Sequence, residues 1–159
     1  MADLFTYALG AFLIVFFVIR SAKNKKKQAE NQRLGQDFLA SNGALDDVEV
    51  THTGLQYQVL EAGSGETHPR ATDRVKVHYH GTLLDGTVFD SSVSRGEPIE
   101  FGLGQVIKGW TEGLQLMVEG QKMRLFIPPE LGYGNSGAGA IGPGSVLIFD
   151  VELLTITEL

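Results

Sequence analysis

Cysteine is absent from all 159 residues, which excludes a disulfide framework, a thiolate nucleophile and a zinc–thiolate site. An excess of positive charge is absent too. Nineteen acidic against 13 basic side chains leave a net charge of −6, the wrong sign for a surface that must neutralise phosphates, so no nucleic-acid partner is expected. No Ser-His-Asp arrangement is suggested by the chain. One G-x-G-x-x-G match exists, Gly137-Ala138-Gly139-Ala140-Ile141-Gly142. No strand directly precedes it and Pro143-Gly144 blocks the helix it needs, so it reads as a flexible loop and no cofactor is expected. His78 and His80 lie two apart on one strand face, but no third ligand accompanies them and no metal is expected.

Long apolar runs are scarce as well, with one exception. Residues 4–19 are sixteen positions without a charge, at the short end of the roughly 20 that a spanning helix needs. Asp3 precedes the run, Arg20 follows it, and no small-x-small site closes it, which argues for an uncleaved anchor rather than a secretory signal. A buried helix of the soluble domain is the alternative, and it would need cover on every side. Arg20, Lys23, Lys25, Lys26 and Lys27 come directly after the run, and no basic residue comes before it. The positive-inside rule then places the rest of the chain in the cytoplasm. The expectation is a single-pass protein of the cell inner membrane, contacting the bilayer through residues 4–19. The shortness of the span motivates a membrane-protein complex as a partner. Residues 1–20 would be the transmembrane anchor and 21–50 a basic helical stalk or linker, with a sparse apolar stripe of Leu34, Phe38 and Leu39 and a stop at Asn42-Gly43. Residues 51–159 would be the globular domain.

What the chain has in quantity is glycine, 20 residues, mostly beyond position 60, which implies many tight turns. Leu55-Gln56-Tyr57-Gln58-Val59-Leu60 and Val75-Lys76-Val77-His78-Tyr79-His80 alternate with period two, and the second puts Val75, Val77 and Tyr79 on one face. Asp85-Gly86 signals a hairpin to Thr87-Val88-Phe89. Ile99-Glu100-Phe101, residues 121–127 and residues 146–156 read as further strands. Ile107, Trp110, Leu114 and Met117 carry helical spacing, predicting one helix over 107–117. The fold class is α+β: an antiparallel twisted sheet wrapped on one short helix, preceded by one transmembrane helix.

Four blocks then appear in order: Val77-His78-Tyr79-His80-Gly81-Thr82-Leu83, Asp85-Gly86-Thr87-Val88-Phe89-Asp90-Ser91-Ser92, Val106-Ile107-Lys108-Gly109-Trp110-Thr111-Glu112-Gly113, and Ile127-Pro128-Pro129-Glu130-Leu131-Gly132-Tyr133-Gly134. With Val146-Leu147-Ile148-Phe149-Asp150-Val151-Glu152-Leu153-Leu154 as a fifth, residues 51–159 closely resemble the FKBP-type peptidyl-prolyl cis/trans isomerases (rotamases). The lead-in Thr53-Gly54-Leu55-Gln56-Tyr57 resembles the bacterial, macrophage infectivity potentiator-like branch. The resemblance does not cover residues 1–50.

That resemblance implies a catalytic set of Tyr79, Asp90, Ile107 and Tyr133, and a substrate-binding set of Phe89, Arg95, Phe101, Val106, Trp110, Ile141 and Phe149. Trp110 would form the floor for the proline ring. The Tyr133 hydroxyl and the Ile107 amide would bond substrate carbonyls, and Asp90 would pair with Arg95 and bond Tyr79. The loop over 135–144 departs from the family in lacking a bulky or imidazole side chain and in having Ile141-Gly142-Pro143 where Ile-Pro-Pro is common. Ile99 stands where an aromatic is often found. The chemistry needs no nucleophile. Rotation about X-Pro breaks amide resonance against a barrier of about 18–20 kcal/mol, and an aromatic pocket solvates the less charge-separated twisted amide better than water does. For Phe101 and Phe149 a purely structural role accounts for part of their presence, since strand aromatics are usually core. The polar tips of Trp110 and Tyr133 need partners. The function expected is isomerisation of X-Pro bonds in protein or peptide substrates at a membrane surface. The alternative is a proline-loop binding module or an accessory subunit of a membrane complex.

Overall fold

The computed structural model describes the backbone of residues 2–157 and the side chains of residues 18–157. After a long helix α1 (Ala2–Asn42) come β1 (Glu49–Val50), β2 (Gln56–Glu61), β3 (Arg74–Thr82) and β4 (Val88–Ser91). One helical turn α2 (Ser92–Arg95), β5 (Ile99–Gly102), α3 (Lys108–Leu114), β6 (Lys122–Ile127) and β7 (Leu147–Thr157) complete the chain. The strands form one seven-stranded sheet, ordered β1-β2-β6-β7-β3-β4, in which β5 pairs with a second stretch of β3. Every pairing is antiparallel. β4 and β5 therefore share one edge of β3: His80 faces Ser91 across it and Val75 faces Phe101, with α2 lying between the two in sequence.

Alternation decides which face is buried. Val75, Val77 and Tyr79 of β3 and Leu147, Phe149, Val151 and Leu153 of β7 all point into the core. The turn at Asp85-Gly86 forms as expected: Gly86 has φ 85°, Leu83 N–H donates to Thr87 at 2.9 Å, and Thr87 N–H donates to Asp85 Oδ1 at 3.0 Å.

The concave face of the sheet holds α3. Its two glycines let it lie flush on β6. A Cβ on Gly109 would meet Ile127 at 2.6 Å, and one on Gly113 would meet Leu125 at 2.8 Å. The helix is shorter than its spacing predicts, ending at Leu114 rather than 117. Met117 is nonetheless fully buried, carried inward by turns in which Leu116 and Met117 donate to Gly113 and Leu114 at 3.1 Å. The apolar spacing reported burial, which a tight turn satisfies as well as a helix does.

α1 corrects the stalk. From Asn31 onward one of its faces lies on the outside of the sheet and on the loop before β7. Asn31 Nδ2 donates to the Pro143 carbonyl at 2.9 Å, and Phe38 and Phe126 rings stand 5.8 Å apart. Asn42 Nδ2 donates to Gln56 Oε1 at 2.8 Å, where Gln56 Nε2 in turn donates to the Leu39 carbonyl at 2.9 Å. A Cβ on Gly35 would meet Val146 Cγ2 at 2.8 Å. Asn31, Gly35, Phe38 and Asn42 recur at three and four residues, the spacing of one helical face. The expected stripe of Leu34, Phe38 and Leu39 is only partly used, since Leu34 is exposed. Helix and domain are covered by each other over residues 31–42, so this part of α1 is no free linker.

The membrane reading is corrected as well. Among the described residues no helix is long and apolar enough to cross a membrane. The expected single-pass inner-membrane location, with its cytoplasmic domain, is therefore withdrawn. The positive-inside rule orients only an established span, and sixteen uncharged residues do not by themselves establish one. The side chains of residues 4–17, on which that reading rested, lie outside the described residues.

Candidate functional site

Between α3, the middle of the sheet and the loop before β7 lies an open cavity of about 770 Å³. Its walls are aromatic. Trp110 meets Tyr79 and Phe149 edge-to-face, each with centroids 5.1 Å apart, and Phe149 meets Phe89 in the same way at 5.2 Å. Such pairs add about 0.5–1.5 kcal/mol each beyond burial, so the box is rigid before anything enters it. Gly81 makes the box possible, because a Cβ there would stand 2.7 Å from both Phe149 and Phe89. α3 presents Trp110 to the cavity while Gly109 and Gly113, on the adjoining flank of the helix, let it lie close on β6.

The floor is chemically unfinished. Trp110 is buried, and its indole N–H meets no acceptor among the described residues. Buried donors are rarely left so. Ile107 caps α3 with extended ψ of 149°, and among the described residues its N–H donates to no backbone carbonyl. Tyr133 lies beyond the turn Pro129–Leu131 and borders the cavity half-exposed.

One wall is polar. Tyr79 hydroxyl donates to Asp90, which also receives Arg95, and Arg95 Nη2 donates to Tyr79 Oη at 2.9 Å. The guanidinium also lies over the Tyr79 ring, 5.7 Å from its centroid. α2 delivers Arg95 to this place. Ser91 accepts Ser94 N–H at its start, and Gly96 closes it at φ 71°. Ser92, fully buried, accepts Tyr79 N–H at 2.8 Å and lies 2.9 Å from His78 Nδ1. His80 Nδ1 lies 2.9 Å from Ser91 Oγ, so the two histidines brace the β3–α2 corner. Burial raises the Tyr79 pKa, and its bond to Asp90 adds to that. Burial opposes the Asp90 charge, but the bonds from Tyr79 and Arg95 with the guanidinium charge outweigh it and hold the carboxyl below its ordinary range.

Of the residues singled out in the sequence, Tyr79, Phe89, Asp90, Val106, Ile107, Trp110, Tyr133, Ile141 and Phe149 line the cavity. Arg95 and Phe101 do not line it. Arg95 acts on it through Tyr79, and Phe101 stands behind Trp110 at 5.3 Å. Ile99, Gln105, Ala138, Gly139 and Ala140 also line it and were not singled out as site residues. The three loop positions offer backbone and methyl groups, which leave no chemical signature in a sequence. Their loop is not simply flexible. Ala138 and Ile141 exchange backbone bonds at 3.0 and 2.9 Å, making a tight hairpin. Gly137 is obligatory in it, at φ 64° with the Ile141 carbonyl 2.2 Å from where a Cβ would sit.

Comparison with known proteins places these features in company. A family described as FKBP-type peptidyl-prolyl cis-trans isomerase matches residues 65–154, and one described as the domain amino-terminal to that isomerase matches residues 6–59. Most of the apolar run thus falls inside a known amino-terminal domain rather than in an appended anchor, and similarity extends well ahead of residue 51. The FKBP-type peptidyl-prolyl cis-trans isomerase FkpA of Aeromonas hydrophila is 56% identical over 140 residues, covering 88% of this chain and 52% of the relative. A probable FKBP-type isomerase of Haemophilus influenzae is 54% identical over 136 residues, covering 85% and 55%. The chain thus spans about half the length of these curated relatives. The crystal structure of FkpA from Escherichia coli superposes with a TM-score of 0.91 at 44% identity, covering 96% of this chain and 71% of that one. A peptidyl-prolyl cis-trans isomerase of Pseudomonas syringae gives 0.76 at 37% identity, covering 82% and 96%.

Proposed function

The chain belongs to the FKBP-type peptidyl-prolyl cis-trans isomerases, and we propose that it isomerises X-Pro bonds of protein or peptide substrates in the aromatic cavity. The observation that carries this reading is a preformed ring box whose polar tips are unmatched: the Trp110 indole N–H has no acceptor among the described residues. A proline ring fills the box. Its flanking carbonyls take the Ile107 N–H and the Tyr133 hydroxyl, which favour the twisted geometry over either planar one. Tyr79, held by Asp90 and Arg95, fixes the polar wall. No proton moves and no covalent bond forms. About 4 kcal/mol of differential stabilisation corresponds to roughly a thousandfold acceleration of a step that otherwise takes tens to hundreds of seconds. Residues 51–159 carry the site in this reading, and the docked end of α1 supports it from behind.

The test is magnetisation-exchange NMR on a short X-Pro peptide with the full chain present. Exchange should accelerate, and Tyr133→Phe should lower the rate about tenfold with an unchanged melting curve. Exchange at the uncatalysed rate, with the peptide still bound, would leave a proline-binding module instead.

A further inference from the structure

A second concavity of about 820 Å³ lies between α1 and the hairpin loop, and Arg20, Lys25 and Lys27 line it from the helix side. It shares Ala138, Gly139 and Ile141 with the aromatic cavity. The hairpin is thus a thin partition, with rings on one side and cations on the other. We propose that this groove is a second substrate subsite, which takes acidic residues of the same polypeptide whose proline occupies the aromatic cavity. The inference rests on the isomerase reading and adds a substrate class to it.

The charge pattern supports it. The chain carries a net −6, yet no acidic residue occurs between positions 18 and 29. Elsewhere the arginines are matched: Arg33 with Asp37, Arg74 with Glu100, Arg95 with Asp90 and Arg124 with Asp150. Among the described residues Arg20, Lys25 and Lys27 enter no ion pair. The carboxylate of Asp85, which borders a smaller cleft with Lys27, is held mainly by the Thr87 N–H and more weakly by the Lys27 charge, so Lys27 is offset in part. An ordinary solvated helix face interleaves acids with its bases, since unrelieved like charges on one face cost stability. A concave wall of one sign focuses potential and gathers a counter-charged ligand. The geometry also selects a chain over a flat anionic surface, because these three side chains face a groove bounded by the loop while Lys23 and Lys26 do not line it. At the opposite end, where Val106 borders both the aromatic cavity and another cleft, Lys108 and Glu112 give mixed charge. The preference is therefore one-sided along the substrate.

The experiment compares three peptides sharing one X-Pro core: neutral flanks, a glutamate stretch before the proline, and one after it. With the full chain at low ionic strength, one acidic peptide should show about five- to tenfold higher kcat/KM than the neutral one. The advantage should vanish near 1 M salt, where the screening length is about 3 Å. The triple variant Arg20→Gln, Lys25→Gln, Lys27→Gln should lose it while turning over the neutral peptide as before. Equal rates for all three peptides, or a preference that survives the variant, overturn the proposal. So does salt-sensitive binding to phosphatidylserine vesicles without any peptide preference. If no peptide is turned over, the isomerase reading falls, and fluorescence anisotropy of the same labelled peptides decides the groove. Tighter acidic binding lost in the triple variant supports it, and equal affinities overturn it.

Discussion

Asp90 joins the two donors of the polar wall, and its position makes a clear expectation. Its carboxylate side chain is 46% exposed, so removing it costs the fold little while releasing Tyr79 and Arg95 together. Asp90→Ala should lower exchange about tenfold and leave the melting temperature nearly unchanged, as read by exchange NMR and differential scanning calorimetry. The pH dependence follows from the same pair. Asp90 has a lowered folded pKa, so its contribution is complete above the ordinary aspartate value near 4 and is lost as pH falls through the lower folded one. Tyr79 has a raised folded pKa, so its contribution is complete below the ordinary tyrosine value near 10 and is lost as pH rises beyond that. Exchange should be flat between about pH 5 and 9, and a bell centred near neutrality would show another titrating group in control. At this scale the sequence was informative wherever a side chain carried the chemistry. Tyr79, Trp110 and Phe149 stand out by type and by alternation. Gln105 and the 138–140 positions do not, because a wall of backbone and methyl groups is defined only once the loop has closed.

Among the elements, α3 shows how contact sets what spacing cannot. Gly109 and Gly113 lie four apart against Ile127 and Leu125, and their missing side chains bring helix and strand together. Gly113→Ala would raise intrinsic helix propensity by roughly 1 kcal/mol, yet overpacking against Leu125 should cost about 1–3 kcal/mol. A net loss in urea unfolding is expected, and a gain would mean that β6 gives way. The strands were legible to within a residue or two because period two survives in β3 and β7. β6 breaks it. Leu125, Phe126 and Ile127 are all buried, a run that marks a strand covered on both faces, and Phe126 is the residue that meets α1. The single turn α2 was not anticipated, since four residues held by the Ser91 and Gly96 caps carry no periodicity, and the two-residue β1 is likewise too short for any.

For the molecule as a whole, the docking of α1 is the largest departure from what the sequence implied. Its contact face contains two asparagines and a glycine, a pattern that resembles a solvated helix until Pro143, Val146 and Gln56 are placed opposite it. Phe38 supplies the apolar part. Phe38→Ala should lower the unfolding free energy by about 1–3 kcal/mol, less than the 3–5 of a fully buried phenylalanine, and should expose Phe126 to dye binding. An unchanged urea midpoint would mean that helix and domain are independent. The membrane reading failed at this same scale. Hydropathy of a short run and charge beside it describe a segment in isolation, while its place in the protein depends on the domain to which it belongs.

The order of strands also has a consequence for synthesis. β7 is the last strand made, yet it sits in the middle of the sheet, between β6 and β3. Until it exists, β2 with β6 and β3 with β4 and β5 are two ribbons with open inner edges, and their apolar faces lack Phe149, Val151 and Leu153. From the time β6 is made until β7 follows it, the growing chain therefore holds two adhesive half-sheets. A single closing strand then converts both to the native sheet at once. Those inner edges stay exposed until β7 emerges, and because β7 pairs with both ribbons its docking couples the completion of the two halves.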